Sequence, residues 1–362
     1  MIKDFLKKSL ILPIAFIVMA VLFVSCGAKE APAAGTETAA PVEESKSTLE
    51  IVKERGKIIL GVTAGVPGYS APDSEGKWQG FDVDLGRAVA AAVLGDADAI
   101  EYRPLSAKER FTALQSGEID LLSRVTTWTA TRDSELGVNF AGVNYYDGQG
   151  FMVAKDSGIT SLADMDGATI AVQAGTTTEL NLSDYFRKQG MELELITFEK
   201  NDQASAALEA GRADAVTSDQ SQLYALRTKF KEPDNFIMLP EVISKEPLGP
   251  VVREGDDQWF DIVGWTLNVM LNAEEYGVTS ANVDEMKSSS TNPNVKRMLG
   301  VEGGVAEGFG LDNDWGYNII KQVGNYGESF DRNLGAGSPL NIERGYNALW
   351  VDGGLQYGMP VR

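Results

Sequence analysis

The sequence predicts an α/β fold made of two similar lobes. Short apolar runs alternate with helical patterns along most of the chain, which is typical of strand–helix units. The run 58–65 resembles 169–175, since each is an apolar stretch that ends in Val-x-Ala-Gly. A second pair, 113–123 and 207–217, shares a helical pattern, a Gly suited to the position after a helix, and an Asp before an apolar stretch. The copies lie about 95–110 residues apart, which is too far for solenoid repeats and indicates two lobes.

Composition narrows the classes of function. The chain has 362 residues, of which 43% are apolar, enough for two domains of about 150 residues each. It has no His, which excludes Ser-His-Asp and Cys-His catalysis, and its one Cys allows no internal disulfide. A formal net charge of −20 argues against a nucleic-acid-binding surface. The sequence has no P-loop, no GxGxxG and no metal-ligand spacing, so neither cofactor nor metal is expected.

The N-terminus has the pattern of an export signal. Lys3, Lys7 and Lys8 precede an apolar run of 15 residues, 10–24, which is short for a membrane span and typical of a secretory signal. Cys26 follows where a lipoprotein signal is cleaved and lipidated; the alternative is an ordinary cleavage site with a chance Cys nearby. After it, residues up to 46 are mainly Ala, Pro, Glu, Thr and Ser, a composition that predicts a disordered tether.

Candidate binding residues follow the apolar strand that ends near Ser123. Ligands of open α/β sheets bind beyond the carboxyl ends of the strands, and the segment 124–133 there carries several hydroxyl and cationic side chains. Arg132 can donate two parallel hydrogen bonds to a carboxylate, and Thr127 offers a hydroxyl and an N–H. The alternative is an N-capped helix whose Arg132 pairs with an acid at the surface.

Complementary groups follow three other strands. Gly175, Thr176 and Thr177 begin a helix whose N–H groups attract anions; the alternative is a routine strand-to-helix turn. Asp219 can accept from an ammonium; the alternative is a helix N-cap. Tyr69 can form an apolar wall. Together with Arg132 these groups are complementary to a zwitterion, whose carboxylate and ammonium sit on one carbon.

The segment 80–93, Gly-Phe-Asp-Val-Asp-Leu-Gly-Arg-Ala-Val-Ala-Ala-Ala-Val, has a helical pattern. We expect Asp82 to cap this helix and Leu85, Val89 and Val93 to pack inward. In its order of residues and its position along the chain, the segment resembles the signature of the extracellular solute-binding proteins of family 3, the receptors of polar amino-acid ABC transporters. The resemblance runs over about 47–362. Segments similar to the general L-amino-acid-binding subgroup are 106–117, 144–151, 172–181 and 318–327.

The resemblance implies roles for the matched residues. Arg132, five after Thr127, lines up with the arginine that clamps the ligand's α-carboxylate. The turn of Gly175, Thr176 and Thr177 lines up with the second-lobe turn that meets the same carboxylate. Asp219 lines up with the acid that holds the α-ammonium, and Tyr69 with an aromatic wall.

Four more residues are further candidates for ligand contact: Trp128, Arg124, Gln173 and Ser218. Gln173 and Ser218 stand where relatives with narrower ligands often carry larger or charged residues. Arg110 and Arg124 can recognise an acidic side chain, but surface ion pairing is the expectation for both. The spacing around Trp259, Trp265 and Trp315 predicts core positions for these three.

The predicted architecture is therefore the two-lobed α/β fold of type II periplasmic binding proteins, with a two-crossing hinge. Gly and Pro near 148–150 and 245–247 suit segments that absorb a rotation between lobes. The predicted parts are the signal peptide 1–25, the tether 26–46, lobe 1 with a C-terminal extension at 47–149 and 246–362, and lobe 2 at 150–245.

The predicted function is the substrate-binding receptor of an amino-acid ABC importer. The lobes would close on a zwitterionic L-amino acid and deliver it to the permease, with the protein a monomer lipid-anchored through Cys26 in the periplasm or at the cell surface. One alternative is a dehydratase-type enzyme on the same fold, which needs an acid–base carboxylate in the cleft. The other is a sensory module, which would normally be joined to a transmembrane helix and a signalling domain; no such pattern follows residue 26.

Overall fold

A computed structural model describes residues 46–63 and 65–362. The predicted signal peptide, the predicted lipidation site Cys26 and all but the last residue of the predicted tether lie outside the described residues.

The described residues form fourteen strands in two five-stranded sheets and two short pairs. The strands are β1 (Ile58–Val62), β2 (Ala71–Pro72), β3 (Trp78–Gln79), β4 (Ile100–Pro104), β5 (Leu121–Leu122), β6 (Val138–Phe140), β7 (Tyr145–Asp147), β8 (Gln149–Ala154), β9 (Thr169–Gln173), β10 (Glu194–Phe198), β11 (Ala215–Asp219), β12 (Phe236–Met238), β13 (Glu246–Leu248) and β14 (Val251–Arg253).

Thirteen α-helices surround the sheets in the described part of the chain. They are α1 (Thr48–Arg55), α2 (Phe81–Leu94), α3 (Arg110–Gln115), α4 (Ala130–Glu135), α5 (Thr177–Gln189), α6 (Asn201–Glu209), α7 (Gln220–Arg227), α8 (Asp257–Glu275), α9 (Val283–Ser289), α10 (Pro293–Met298), α11 (Val305–Phe309), α12 (Trp315–Gln322) and α13 (Tyr326–Asn333). Short 3-10 turns lie at Leu162–Met165, Pro233–Asn235, Gly345–Asn347 and Trp350–Asp352.

The two large sheets repeat one plan. The first has the order β4-β1-β5-β14-β6, with β1 parallel to β4 and β5 and with β14 antiparallel to its neighbours. The second has the order β10-β9-β11-β8-β12, with β9 parallel to β10 and β11 and with β8 antiparallel to its neighbours. In each sheet the carboxyl ends of three parallel strands therefore lie at one edge, where ligands bind in open α/β sheets.

Glycines stop equivalent helices in the two halves, as the internal repeat predicts. Gly117 after α3 and Gly211 after α6 have φ values of 78° and 67°, the left-handed region that favours glycine after a helix. Each turn leads into the strand that ends at the ligand edge, β5 or β11. The predicted match between 113–123 and 207–217 is thus a match of helix, turn and strand.

The start of α2 differs in part from the prediction. Its N-cap is Gly80, where a Cβ atom would lie 2.1 Å from Tyr69 O, so the close approach of two backbones excludes a side chain. Asp82 does not cap the helix; it is buried inside the first turn and points toward β5. Leu85, Val89 and Val93 are buried as predicted.

Two extended connections join the sheets. β7 and β13 pair antiparallel, and Glu246 of β13 lies opposite Asp147 of β7. Each lies between a strand of the first sheet and a strand of the second along the chain, so this two-stranded pair forms the link between the halves.

The residues after β14 pack on the first half. Trp259 and Trp315 are buried and Trp265 packs partly buried against the core, in agreement with their predicted positions. Farther on, Asn347 exchanges two hydrogen bonds with the backbone of Tyr146 in β7, at 2.7 and 3.1 Å. Among the described helices, we find none with the length and apolar character needed to cross a membrane.

Candidate functional site

The ends of parallel strands from both sheets meet at one cleft, and side chains of the two halves touch across it. Tyr69 follows β1 and its hydroxyl donates to Ser221 Oγ of α7 at 2.6 Å. Thr127, after β5, lies 3.4 Å from Thr177 of α5 between hydroxyl oxygens. Three residues predicted from the sequence, Tyr69, Thr127 and Thr177, thus make contacts across the cleft.

Arg132 lies in α4, which begins after Thr129. The Thr129 hydroxyl accepts from Arg132 N at 3.3 Å and caps the helix. The Arg132 side chain is only 8% exposed, and Nη1 donates to the carbonyl of Thr127 at 2.7 Å. Burial lowers the pKa of Arg132, while the charges of Glu246 and Asp219 raise it. No described carboxylate oxygen lies within 4.0 Å of its guanidinium, so the alternative of a surface ion pair is not observed.

Asp219 is the last residue of β11 and comes from the opposite half. It is 4% exposed and accepts a hydrogen bond from Gln222 Nε2 at 2.5 Å. Burial, followed by the charges of Asp147 and Glu246, raises the pKa of Asp219 well above its usual value, and Arg132 acts in the opposite direction. Asp219 stands at the N-cap position of α7, as the alternative proposed, but its side chain makes no capping hydrogen bond to that helix.

Glu246 joins both halves to the hinge strand β13. Its Oε2 accepts from the Thr127 hydroxyl at 2.6 Å and from the Thr177 hydroxyl at 2.8 Å. Its Oε1 accepts from Asn181 at 2.7 Å and from Ser244 at 2.5 Å. The hydroxyls of Thr127 and Thr177, which the sequence predicts as contacts of a ligand carboxylate, therefore donate to a carboxylate of the protein itself.

Some of the hydrogen-bond donors and acceptors in the turn before α5 are already paired within the turn and the helix. Gly175 has a φ of 74°, and its N–H donates to Glu179 Oε2 at 2.8 Å. The Thr176 hydroxyl caps the helix by accepting from Glu179 N at 3.2 Å. The N–H groups of Thr177 and Thr178 have no acceptor in the described parts of the chain. These two N–H groups are among the donors that this turn can offer to an anion.

Tyr69 is buried, and it links the two halves through its hydroxyl in addition to packing its ring. Its ring packs edge-on against Phe81 and Tyr145, with centroids 6.5 and 5.8 Å apart. Burial raises the pKa of its hydroxyl well above the usual value, with the neighbouring Tyr145 and Asp147 adding to the effect. Tyr69 therefore lies at the cleft, but its hydroxyl is hydrogen-bonded from one half to the other.

A cavity of about 300 Å³ opens between the halves, and neither Arg132 nor Asp219 is among the residues that line it. It is lined by residues after β1, β4 and β5 of one sheet and after β9 and β10 of the other: Thr63, Gly65, Val66, Pro104, Leu105, Ser106, Glu109, Arg124, Gln173, Glu199, Lys200, Asn201 and Asp202. Gln173 Nε2 donates to Glu199 O at 2.9 Å, and Ser218 Oγ accepts from Asn201 Nδ2 at 2.9 Å. The volume of this cavity is at the lower end of the range of ligand-pocket volumes, so it suits a small molecule.

Asp82 organises the backbone at the end of β5. It accepts from Ser123 Oγ at 3.0 Å and from Val125 N at 2.9 Å. Val125 has a φ of 44°, a strained conformation for a β-branched residue that neighbouring contacts must hold. Burial raises the pKa of Asp82 to about 6, against the lowering effect of these two hydrogen bonds. The carboxylate thus fixes the strained turn between Arg124 and Thr126.

The expectation of surface pairing for Arg110 and Arg124 is wrong. Arg110 is 2% and Arg124 5% exposed, and neither has a carboxylate oxygen within 4.0 Å in the described residues. The reason is the fold: α3 and the end of β5 turn both side chains into the cleft. Burial is the first cause that lowers the pKa of both groups, and it brings that of Arg124 to about 10.

Trp128 lies apart from the cavity that Arg124 lines. It is 38% exposed, and its ring stacks on Phe140 with centroids 5.6 Å apart. It lines a larger cavity of about 1030 Å³ beside β7 and β13, together with residues of the C-terminal segment such as Tyr346.

Sequence reasoning missed several residues of the site. The sequence predicts Glu246 in the hinge and gives it no role in binding, and no sequence motif indicates Asn201 or Gln222. Asn201 Nδ2 donates to both Ser218 and Gln222 Oε1, and Gln222 in turn donates to Asp219. Asn201 follows β10, so its position just after a strand is the sequence signal that indicates a binding residue there. Within 46–63 and 65–362, no cluster of three or more potential metal ligands is present.

Comparisons with known proteins agree with the expected family. The profile of the bacterial extracellular solute-binding proteins, family 3, matches residues 58–281. The general L-amino acid-binding periplasmic protein AapJ of Rhizobium johnstonii is 58% identical over 320 residues, 88% of this chain and 94% of that protein. The putative amino-acid ABC transporter-binding protein YhdW of Escherichia coli is 56% identical over 316 residues, 87% and 93% of the two chains.

A solved structure extends the likeness to the fold. The ABC transporter periplasmic binding protein from Brucella ovis, solved with glutathione bound, is 56% identical with a TM-score of 0.86. The alignment covers 88% of this chain and all of that one, at 100%. The predicted two-lobed α/β architecture of type II periplasmic binding proteins is thus confirmed. This chain belongs to the bacterial extracellular solute-binding proteins of family 3.

Proposed function

We propose that this chain is the substrate-binding receptor of an amino-acid ABC importer. Its two halves close on a zwitterionic L-amino acid, and the closed form delivers the ligand to the membrane permease. The relatives named as amino-acid-binding components of ABC transporters support this assignment.

One observation carries the proposal. Arg132 from one half and Asp219 from the other are both buried, both lack an oppositely charged partner within 4.0 Å in the described residues, and each shifts the other's pKa. Removing charges from water is unfavourable unless they are paired. An α-amino acid supplies both partners at once, with its carboxylate for Arg132 and its ammonium for Asp219. Because the two groups come from different halves, the ligand favours the closed form over the open one.

The remaining predicted contacts fit around this pair. We assign the N–H groups of Thr177 and Thr178, at the start of α5 in the turn that Gly175 and Thr176 form, to the same carboxylate as Arg132. Thr127 and Tyr69 would act beside the ligand while bonded to Glu246 and Ser221. Gln173 and Ser218 would face the ligand's side chain, and we propose no ligand contact for Trp128.

A ligand screen by thermal unfolding tests the proposal. Binding to the native state raises the unfolding midpoint by mass action. We expect L-amino acids to raise it and matched compounds with only one of the two groups, such as propionate and ethylamine beside L-alanine, to have no effect. Glutathione is included because the similar Brucella ovis protein was solved with it. Equal effects of the amine, the acid and the amino acid would refute paired recognition.

Two further parts of the proposal concern activity and location. The protein would bind its ligand without turnover, so incubation with prephenate or arogenate should leave both unchanged. It would act as an exported monomer, attached to the membrane through lipidated Cys26 and working with the permease. Cys26→Ser should then move the protein from the membrane to the soluble fraction of cells, and an unchanged distribution would contradict the anchor.

A further inference from the structure

The larger cavity beside β7 and β13 is separate from the one near Arg124, and the two share no lining residue. Its volume of about 1030 Å³ is at the upper end of the range for ligand pockets. Gln220 and Tyr224 of α7 line it from the second half, and neither Arg132 nor Asp219 does. We call this space the hinge cavity, because strands of the link between the halves form part of its wall.

The C-terminal segment forms one side of the hinge cavity. Glu343, Tyr346 and Leu355 line it from this segment. Asn347 holds the segment against β7 through its two hydrogen bonds with the backbone of Tyr146. All of the segment lies beyond residue 281, where the match to the family profile ends. The hinge cavity is therefore built in part from residues outside the matched region.

Five aromatic side chains line the hinge cavity: Trp128, Tyr145, Tyr146, Tyr224 and Tyr346. Trp128 is 38% and Tyr346 71% exposed, so much of the surface of these two side chains has no protein neighbour. The face of an aromatic ring carries negative potential and attracts a cation within about 6 Å of the ring centroid. Several rings around one space are the arrangement by which proteins recognise quaternary ammonium ligands.

The charged side chains of the hinge cavity are mainly acidic. Asp147, Glu246 and Glu343 line it, and Lys245 is the one cationic side chain among its described lining residues. Within the described parts of the chain, no Lys or Arg nitrogen lies within 4.0 Å of these three carboxylates. The cavity therefore combines aromatic walls with an excess of negative charge.

The two hinge carboxylates are bonded to neutral donors. Glu246 is 1% exposed and accepts from the hydroxyl and amide groups described above. Asp147 accepts from the Ser221 hydroxyl and from Gly148 N, the latter at 2.8 Å. Burial raises the pKa of Asp147 to about 6, and the charge of Glu246 acts in the same direction. Since removing charges from water is unfavourable unless they are paired, a cation in the cavity would offset this charge.

We propose that the hinge cavity is a second binding site, which takes an organic cation of the substituted ammonium class. The apolar groups of this ligand pack against the aromatic rings, and its charge faces Asp147, Glu246 and Glu343. A purely apolar ligand would leave the carboxylates without a cation, and a metal ion would leave the rings without contacts. The site is distinct from the proposed amino-acid site, because none of the residues that we assign to the amino acid lines it.

Calorimetric titration of the full chain with choline and with dimethylbutanol tests the proposal. Dimethylbutanol has a carbon in place of the choline nitrogen, so the two probes share one shape and differ in charge. Choline should bind at least about 10-fold more tightly, because several ring faces and carboxylates act on its charge. Equal affinities of the two probes, or no binding of choline, would overturn the proposal.

Two variants locate the bound cation. Tyr346→Leu and Glu343→Gln should each raise the dissociation constant of choline about 2- to 5-fold, the effect of one exposed aromatic face or one exposed charge. Both side chains are exposed, so both variants should fold. Tyr357→Leu is the matched control, because Tyr357 is 53% exposed in the same segment and does not line the hinge cavity.

The pattern across the variants decides where choline binds. Weaker binding in Tyr346→Leu and Glu343→Gln, with Tyr357→Leu unchanged, supports the hinge cavity. Unchanged binding in the first two, or an equal loss in all three, places the cation elsewhere and overturns the site. No arm of the experiment uses an amino acid, so its failure leaves the proposed amino-acid receptor standing.

Discussion

Replacing Tyr69 by Phe removes one hydroxyl that bridges the two halves and keeps the aromatic ring. The hydroxyl donates to Ser221 Oγ at 2.6 Å, and both residues are buried. Ser221 keeps a second partner, because its own hydroxyl donates to Asp147. The expected loss is therefore that of one buried hydrogen bond, a net of about 0.5–1.5 kcal/mol, without the larger penalty of an unpaired group.

This loss falls on the closed form, because the bond joins residues of opposite halves. A change of about 0.5–1.5 kcal/mol lowers the ratio of closed to open molecules about 2- to 13-fold. The dissociation constant for the ligand should rise by the same factor, since only the closed form makes all ligand contacts. Calorimetric titration of wild type and Tyr69→Phe measures it.

The control removes a similar bond inside one half. The Tyr326 hydroxyl donates to Asn144 O at 2.8 Å, and both residues belong to the first half. Tyr326→Phe should lower the free energy of unfolding and leave the dissociation constant unchanged. If Tyr69→Phe leaves the dissociation constant unchanged, or if both variants raise it equally, the bridge does not control closure.

Three other changes have expected results. Arg132→Ala should weaken amino-acid binding by about 3–5 kcal/mol, because the ligand carboxylate is left buried without a partner; unchanged calorimetric affinity would exclude the clamp. Gly175→Ala should lower the free energy of unfolding by about 1–2 kcal/mol, because φ is 74° at this position. In addition, the new Cβ would lie 2.9 Å from Lys108 Cγ of the other half. Urea titration measures the change in unfolding free energy, and an unaltered urea midpoint would contradict the prediction. Burial raises the pKa of Asp82 from 3.8 to about 6. The native state therefore holds this proton more tightly than the unfolded state does. The stability that this adds is fully present below about pH 4 and is lost as the pH rises through about 6. The unfolding free energy of wild type minus that of Asp82→Asn should therefore fall by about 2 kcal/mol between about pH 4 and 7.5, and a constant difference would contradict the shift.

The repeated architecture could be predicted from the sequence because it depends on local patterns. Gly117 and Gly211 mark helix ends by a backbone conformation that other residues adopt at a cost, and each is followed by an apolar strand. Strand ends in parallel sheets share an edge, so Arg132 and Asp219 could be expected at one cleft before any coordinates were known. Such inferences need only the order of elements along the chain.

Pairings between distant segments could not be predicted in this way. Glu246 lies in a short connection whose sequence reads as a hinge, and only the folded chain brings Thr127 and Thr177 to its carboxylate. The sequence predicts Arg110 at the surface because most arginines are exposed, whereas its burial depends on how α3 packs at the cleft. Asp82 has the spacing of a cap, but Gly80 takes that position because no side chain fits against Tyr69.

A crystal structure of the complex with an L-amino acid is the decisive test of recognition by Arg132 and Asp219. We expect closed halves, with the ligand carboxylate about 2.7–2.9 Å from the Arg132 guanidinium and the ammonium in hydrogen-bond contact with Asp219. A ligand bound elsewhere, or Arg132 and Asp219 paired with each other beneath it, would refute this binding mode.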